Sequence, residues 1–191
     1  MTPEQLAVAN NEHSHQRAVF AWANMAMRYG FEVANEPRAY LEKGWAAEAA
    51  HGIMSGSGYD PSIPDLELLH AIPNGGKRDK VTAGKLKAEG VKAGIPDIFL
   101  PVPKEVMVDP QPAHRLEPLT RFYCGLYIEL KRPASLVEGK RKAKIVGRAA
   151  GSTQSEQDDI LAKLRAKGYA VSVCFGWQAA VADIQKYLTG G

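Results

Sequence analysis

Alternation of apolar and polar side chains predicts a β-strand over residues 122–130, directly followed by a lysine. Successive side chains on a strand point to opposite faces, so Ile128 and Leu130 are expected to turn into the core. Glu129 and Lys131 would then project together from the other face. This pair is the first candidate for chemistry in the chain.

A second strand is predicted over residues 95–102, where an apolar run follows Pro96 and Asp97. Asp97 lies at the start of this run, and pairing of the two strands in one sheet would bring it to Glu129. Residues 103–118, between the strands, are rich in proline and show little periodicity. They are expected to form a surface connection.

Helical spacing accounts for much of the remaining chain. Residues 169–175 are predicted to be a buried strand, and the strand, helix, strand order implies a right-handed crossover with parallel pairing. The signal in residues 31–64 is poor. The predicted helices span residues 3–29 with a stop at Gly30, residues 39–54 with an interruption at Gly44, residues 82–90, residues 155–167 with a stop at Gly168, and residues 178–188.

The overall composition limits the architecture. The chain has 191 residues, of which 45% are hydrophobic, and a formal net charge of +3. This length supports one substantial core and is short for two independent enzyme domains. A single α/β domain over residues 1–191 is therefore predicted.

Positive charge gathers on either side of the two predicted strands. A charge run is most often a solvated face, but two runs that bracket an acidic site suit a polyanionic substrate. Asn74 begins an Asn-Gly-Gly turn whose backbone N–H groups could approach a phosphate, although a plain turn is the commoner meaning. The two clusters are Lys77, Arg78, Lys80, Lys85, Lys87 and Lys92 before Asp97, and Arg132, Lys140, Arg141, Lys142, Lys144 and Arg148 after Glu129.

Asp97, Glu129 and Lys131 form a constellation that suits phosphodiester hydrolysis. Two carboxylates offer hard oxygen ligands to a Mg²⁺ that also binds a substrate phosphate oxygen. An ammonium group beside the attacking water could hold it, help to deprotonate it, or offset the charge that builds on the phosphorus centre. The alternative is an ordinary exposed ion pair on an edge strand, worth well under about 1 kcal/mol.

Two helices add a polar residue each to this interpretation. Glu12 and Gln16 share one face of the first helix with the apolar Val19 and Ala23. Glu12 could reach inward to a metal or its water, or it could be a solvated acid near a helix start. Gln157, in the first turn of the helix over residues 155–167, is by position alone a surface glutamine.

Neither the cysteines nor the apolar segments indicate an extracytoplasmic or membrane protein. Cys124 and Cys174 lie in apolar stretches without metal-ligand spacing, so both are predicted to be reduced core residues. The N-terminus has no basic region followed by an apolar one, and no apolar run approaches the roughly 20 residues that span a bilayer. A cytoplasmic location without a membrane partner is expected.

The ordered set of motifs resembles the VRR-NUC family, the virus-type replication-repair nucleases of the PD-(D/E)xK restriction-endonuclease-like superfamily. The resemblance covers most of the chain and is closest to the compact stand-alone members of phages and bacteria. It implies a restriction-endonuclease-like core with a mixed central β-sheet flanked by α-helices. The matching segments are Glu12-x-x-x-Gln16, residues 72–78, residues 86–97, residues 125–133, and Ser155-Glu-Gln157 followed by residues 167–169.

The resemblance also implies roles for individual residues. Asp97 and Glu129, with the backbone carbonyl of Leu130, would bind one Mg²⁺ or Mn²⁺. Lys131 would be the catalytic lysine, with Glu12 as the helix acid and Gln157 as the helix amide. The expected DNA contacts are Asn74, Lys77, Arg78, Lys92 and Arg132. Residues 31–64 exceed the family's usual link and are interpreted as an insertion, and residues 103–118 lengthen the space between the carboxylates.

These implications lead to one principal hypothesis. The chain is expected to be a homodimeric, metal-dependent endonuclease that selects branched DNA such as Holliday junctions, with two active sites that face two strands. A non-cleaving DNA-binding accessory protein of a replication or repair complex is the alternative, although a pure binder has no need for carboxylates beside phosphate. A sequence-specific restriction enzyme lacks a visible recognition domain.

Overall fold

A mixed four-stranded sheet with helices on both faces organises the chain. The structure is a computed structural model, and it describes residues 1–73, 80–108, 119–133 and 154–190. The helices are α1 (Pro3–Ala7), α2 (Glu12–Ala34), α3 (Arg38–Leu41), α4 (Trp45–Ser57), a short 3₁₀ helix (Pro64–Leu68), α5 (Lys80–Ala88), α6 (Gln154–Ala166) and α7 (Trp177–Thr189). The strands are β1 (His70–Ala71), β2 (Ile98–Leu100), β3 (Lys104–Val108), β4 (Leu119–Tyr123), β5 (Leu126–Lys131) and β6 (Ala170–Phe175).

The four-stranded sheet has the order β1-β2-β5-β6. Strand β2 runs antiparallel to both β1 and β5, whereas β5 and β6 are parallel. Parallel neighbours require a crossover, and α6 lies in that connection. Helices α2 and α7 cover the apolar face of the sheet, where they contact β5, and α6 contacts β6. The predicted α/β class with a mixed sheet flanked by helices is confirmed.

The predicted helix over residues 3–29 begins at Pro3 as expected, but it is interrupted near Asn10, and helical structure extends beyond residue 29. It divides into α1 and α2 because Asn10 adopts a positive φ of 45°, and the Asn11 side chain then caps α2 by accepting from the Ser14 N–H at 2.8 Å. Gly30 leaves helical geometry, as predicted, with φ at 88°. A Cβ there would lie 2.4 Å from the Pro61 carbonyl oxygen, so only glycine fits, yet helical structure resumes as far as Ala34.

Residues 31–64, which gave a poor sequence signal, are largely helical. Gly44 interrupts the helix predicted over residues 39–54, and it separates α3 from α4 in a left-handed conformation. Helix α4 continues to Ser57, three residues beyond the predicted helix end at residue 54. A small second core forms around buried Val33, Ala39 and Ala46 and attaches these helices to α2.

The strand predicted over residues 122–130 is two strands. Gly125 separates β4 from β5, and a Cβ at this position would lie 2.8 Å from the Phe99 ring and 2.9 Å from the Leu100 carbonyl oxygen. Strand β4 pairs with β3 in a separate two-stranded sheet. The surface connection predicted over residues 103–118 is therefore wrong for Lys104–Val108, which form a strand. The neighbouring prolines favoured a loop in the prediction and concealed the β-strand signal. Residues 109–118 lie outside the described part of the chain.

Strand β6 is less buried than predicted. Cys174 is buried, whereas Val173 and Phe175 are 40% and 62% exposed, because β6 ends the four-stranded order within the described residues. The two cysteines also differ: both are free, but Cys124 is exposed rather than in the core. None of the described helices combines the length and apolar character that crossing a bilayer requires.

Candidate active site

The two faces of β5 differ as the alternation predicts. Ile128 and Leu130 are 0% and 1% exposed and belong to the main hydrophobic core. Glu129 and Lys131 lie on the opposite face, yet they too are nearly inaccessible, at 3% and 9%. An exposed ion pair on an edge strand is therefore excluded. A buried pair of this kind carries a desolvation cost, which favours a functional reason for its presence.

The Lys131 ammonium group is held by two acceptors. Its Nζ lies 2.7 Å from Glu129 Oε1 and 2.8 Å from Gln157 Oε1. Gln157 is 6% exposed and comes from the first turn of α6, so the surface interpretation of this residue is wrong. An ammonium group has three N–H donors. Two are used here, and one remains for a further oxygen atom.

Gly94 brings the loop before Asp97 against the start of α6. It has a φ of 80°, and a Cβ there would lie 3.3 Å from the Glu156 carbonyl oxygen and 3.4 Å from the Gln157 Cα. Glycine thus permits both the left-handed backbone and the close approach of the two segments. The Gly-Ile-Pro-Asp sequence consequently positions two predicted site residues, Asp97 directly and Gln157 through contact.

Asp97 is tied to the strand that carries the other carboxylate. Its Oδ2 accepts a hydrogen bond of 2.9 Å from the Leu130 N–H. In an antiparallel ladder the N–H and C=O of one residue point to the same neighbour, so the Leu130 carbonyl also points towards this side. The register pairs Ile98 with Ile128, and its extension places Pro96 opposite Leu130. Proline has no N–H to donate, which suits the Leu130 carbonyl to a metal-ligand role.

The surroundings of Glu129 disfavour its charged form. Burial raises the pKa of Glu129 above its ordinary value, and the nearby Asp97 charge raises it further, while Lys131 opposes both effects. Glu129 Oε2 is buried and accepts no hydrogen bond from any described residue. A divalent cation would satisfy this oxygen and relieve the repulsion between the carboxylates, so the residues present fit such an ion.

Glu12 joins the same electrostatic environment from α2. Partial burial of its carboxyl group raises its pKa, and the charge of Asp97 acts in the same direction. Lys131 and Arg132 lower the pKa of Glu12. Glu12 is the first residue of α2, and it is exposed at the surface. The structure therefore brings Glu12 to the edge of the site, which favours the inward-reaching interpretation of this residue over a remote solvated acid.

His15 is a structural residue of the site that the sequence did not reveal. It is 5% exposed, its Nδ1 accepts from the Trp177 N–H at 3.3 Å, and its other ring nitrogen lies 3.0 Å from Asn10 Oδ1. This bond caps α7 because Gly176 has no side chain to do so. The Gly176 N–H bonds the Lys131 carbonyl at 2.9 Å, so His15 links α2 to the end of β5. Its spacing of three residues from Glu12 is the available signal.

The candidate metal ligands are few. In residues 1–73, 80–108, 119–133 and 154–190, no three His, Cys, Asp or Glu side chains gather as a metal-binding cluster. The set is two carboxylates, Asp97 and Glu129, together with the Leu130 carbonyl. Such a set is typical of Mg²⁺, which keeps several waters and takes oxygen ligands from its substrate.

Of the predicted DNA contacts, the structure describes only two. Lys92 follows α5 and Arg132 follows β5, and both are exposed. Arg132 directly adjoins Lys131, so it is the described cation nearest in sequence to the site. The other predicted contacts, Asn74, Lys77 and Arg78, lie outside the described residues, as do Lys140, Arg141, Lys142, Lys144 and Arg148 of the second basic cluster.

Solved structures include a distant likeness to this chain. A solved structure called a VRR_NUC domain protein is similar to this chain at 23% sequence identity and a TM-score of 0.41, over 76% of this chain and 88% of that one. No family model matches the chain, and no curated protein matches it. At this level of similarity the chemistry must follow from the side chains of the site itself.

Binding of Mn²⁺ should be proton-linked. The pKa of Glu129 in the folded protein lies above its ordinary value of 4.5. Without a bound metal, the carboxyl group therefore stays protonated over a pH window that begins near 4.5. The ion must displace this proton, and apparent affinity should rise with pH through the window, by up to about tenfold per pH unit. Calorimetry from about pH 5 to about pH 8 would measure this dependence.

The matched control for this linkage is Glu12→Gln. Glu12 also has a raised pKa but is not among the candidate ligands, so its replacement should leave most of the pH dependence in place. Glu129→Gln should remove both the dependence and most of the affinity. A flat affinity across the acidic range in the unmodified protein would contradict the assignment of Glu129 as a ligand.

Proposed function

We propose that this protein is a Mg²⁺- or Mn²⁺-dependent endonuclease that hydrolyses phosphodiester bonds in branched DNA. The observation that carries the proposal is the buried Lys131 ammonium group, held between Glu129 and Gln157 on the strand that Asp97 bonds. A carboxylate pair beside a fixed cation is suited to an anionic substrate that brings its own metal ligands. A structural ion pair would need neither Asp97 nor the unsatisfied Glu129 oxygen.

Asp97, Glu129 and the Leu130 carbonyl would hold the divalent ion. When bound, that ion supplies Lewis acidity and positive charge at the phosphate. Asp97 also keeps β2 beside β5 through its bond with the Leu130 N–H. The two carboxylates are thus pre-positioned by sheet pairing, which limits the reorganisation that metal binding requires.

Lys131 would act on the reacting oxygen atoms. Its bonds to Glu129 and Gln157 fix the ammonium group and leave one N–H donor for the attacking water or a phosphate oxygen. A positioned cation in a desolvated site offsets charge that develops in the transition state. Gln157, a neutral acceptor, orients Nζ without adding charge that would repel the phosphate.

Exposed cations in the segments before Asp97 and after Glu129 suit a nucleic-acid backbone. Lys85, Lys87, Lys92 and Arg132 are exposed in the described part of the chain. Phosphate contacts by such residues position a substrate without reading its sequence. A symmetric homodimer would present two sites and convert single nicks into the paired nicks that resolve a four-way junction.

A labelled substrate panel tests this function. Four-way junction, flap, single strand and plain duplex would be incubated with Mg²⁺ or Mn²⁺, with Asp97→Asn as the matched inactive control. We expect symmetric nicks in the junction that the control lacks. Cleavage at free DNA ends alone would contradict the proposal that the protein resolves junctions. Tight binding without cleavage of any substrate would replace the nuclease with a DNA-binding accessory protein.

A further inference from the structure

Phe175 is a large apolar side chain that is exposed beside the candidate catalytic lysine. The parallel register pairs Lys131 with Phe175 and Glu129 with Val173. Paired residues of neighbouring strands project from the same face, and the strands lie about 4.8 Å apart. Phe175 therefore shares the face of the catalytic residues, directly next to Lys131, and is 62% exposed.

Strands β5 and β6 differ in the polarity and the exposure of their side chains on this face. Glu129 and Lys131 are polar and buried, whereas their neighbours Val173 and Phe175 are apolar and accessible. Cys174, between them, faces the core and is 1% exposed, so the strand itself is firmly placed. A phenylalanine exposed to this extent gains little from the protein's own core, and with Val173 it forms a continuous apolar strip beside the polar site, which suits an apolar binding partner.

A nucleobase is the part of a DNA substrate that such a ring can bind. The phosphate and sugar are polar, but every base has an apolar π-face that stacks on aromatic side chains. Bases in a duplex already stack on one another, so only an unpaired base can reach the ring. The site already proposed for the phosphate lies one strand away, which places this base next to the bond that is cut.

We infer that Phe175 stacks on an unpaired nucleobase adjacent to the scissile phosphate, and so makes the enzyme select DNA whose strands separate at the cleavage point. This inference rests on the proposed nuclease function and specifies its substrate. Branch points, flaps and frayed ends offer such a base, whereas plain duplex does not. Arg132, which follows β5 and is exposed, carries a charge that acts on Glu12 at the edge of the site and would contact the DNA backbone there.

The test compares Phe175→Ala with two matched variants. Phe175→Trp keeps an aromatic surface, and Phe122→Ala removes a phenylalanine of similar exposure, 58%, from strand β4 of the other sheet. Binding would be measured in an Asp97→Asn background with 2-aminopurine placed in turn at each nucleotide beside the branch. Fluorescence quenching at one position reports stacking, whether or not cleavage occurs.

We expect Phe175→Ala to abolish the quenching and to weaken binding of branched DNA by about 5- to 100-fold, which corresponds to the loss of one base–aromatic stack. Phe175→Trp should retain both, and Phe122→Ala should resemble the unmodified protein. With Asp97 present, Phe175→Ala should also lose its preference in kcat/KM for branched over duplex DNA while it still cuts.

Two results would overturn the stacking role. One is equal quenching and affinity for Phe175→Ala and Phe122→Ala. The other is loss of the homodimer in Phe175→Ala alone, by size-exclusion chromatography with light scattering, since the ring would then belong to a subunit interface. If the unmodified protein cuts nothing but quenches at one position in a Phe175-dependent way, the nuclease proposal fails and base stacking stands.

Discussion

Lys131→Met is expected to reduce cleavage by about a thousandfold while Mn²⁺ still binds. Methionine fills the space of the aliphatic stem but has no N–H donor, so the group that contacts the reacting oxygens is lost. Glu129 would then be a buried carboxylate without its 2.7 Å partner. The metal-free variant should consequently be less stable, by about 3 kcal/mol, and Mn²⁺ should restore more stability to it than to the unmodified protein.

Single-turnover cleavage, Mn²⁺ calorimetry and thermal unfolding with and without metal would measure these effects. Arg132→Gln is the matched control, because Arg132 is the cation next to Lys131 in the sequence and its side chain is exposed. It should weaken DNA binding modestly and leave the cleavage rate of bound substrate nearly unchanged. Loss of Mn²⁺ binding in Lys131→Met would show that Lys131 supports the metal site, which contradicts its assigned role in the reaction. Near-normal cleavage by this variant would show that Lys131 has no catalytic role.

Asp97→Asn should separate the two tasks of this side chain. The amide oxygen can still accept from the Leu130 N–H, which Asp97 Oδ2 bonds at 2.9 Å, but the anionic metal ligand is gone. Cleavage should fall at least about a hundredfold. The metal-free variant should be as stable as the unmodified protein or more stable, because Asp97 no longer repels Glu129 and Glu12.

Asp97→Ala provides the comparison. It loses both the charge and the acceptor, so it should be equally inactive and about 2 kcal/mol less stable than Asp97→Asn, because the buried Leu130 N–H is left without its acceptor. Chemical denaturation without metal would compare the three proteins. Equal destabilisation by Asn and Ala would show that the carboxylate charge, rather than the hydrogen bond, supports the fold.

Much of this site could be predicted because its residues obey local rules. Strand alternation placed Glu129 and Lys131 on one face, and the apolar run after Pro96 placed Asp97 at a strand start. The depth of burial did not follow from the sequence, because it depends on the docking of α6 through Gly94. Gln157 was placed in this environment by resemblance and not by its own spacing.

Two of the errors in the predicted fold have a common physical cause. Gly125 divides a continuous apolar stretch because the Phe99 ring occupies the space of its missing side chain, and that contact joins residues 26 positions apart. The extra strand β3 forms because β4 pairs with it, in spite of flanking prolines. In these two cases a tertiary partner overrode a local preference. Asn10 instead breaks the first helix through a local contact, the bond to His15 five positions further on.

The hydrogen bond between the Trp177 N–H and His15 affects when the site becomes complete during folding. It joins residues 162 positions apart, and through Gly176 it reaches the end of β5. Glu12, Asp97, Lys131 and Gln157 come from four separate segments, so no fragment carries a complete set. Contacts of such long sequence separation close late, since loop entropy must be overcome first. The proposed hydrolysis would thus require the fully folded molecule, and a nascent or partly folded chain would lack a complete site.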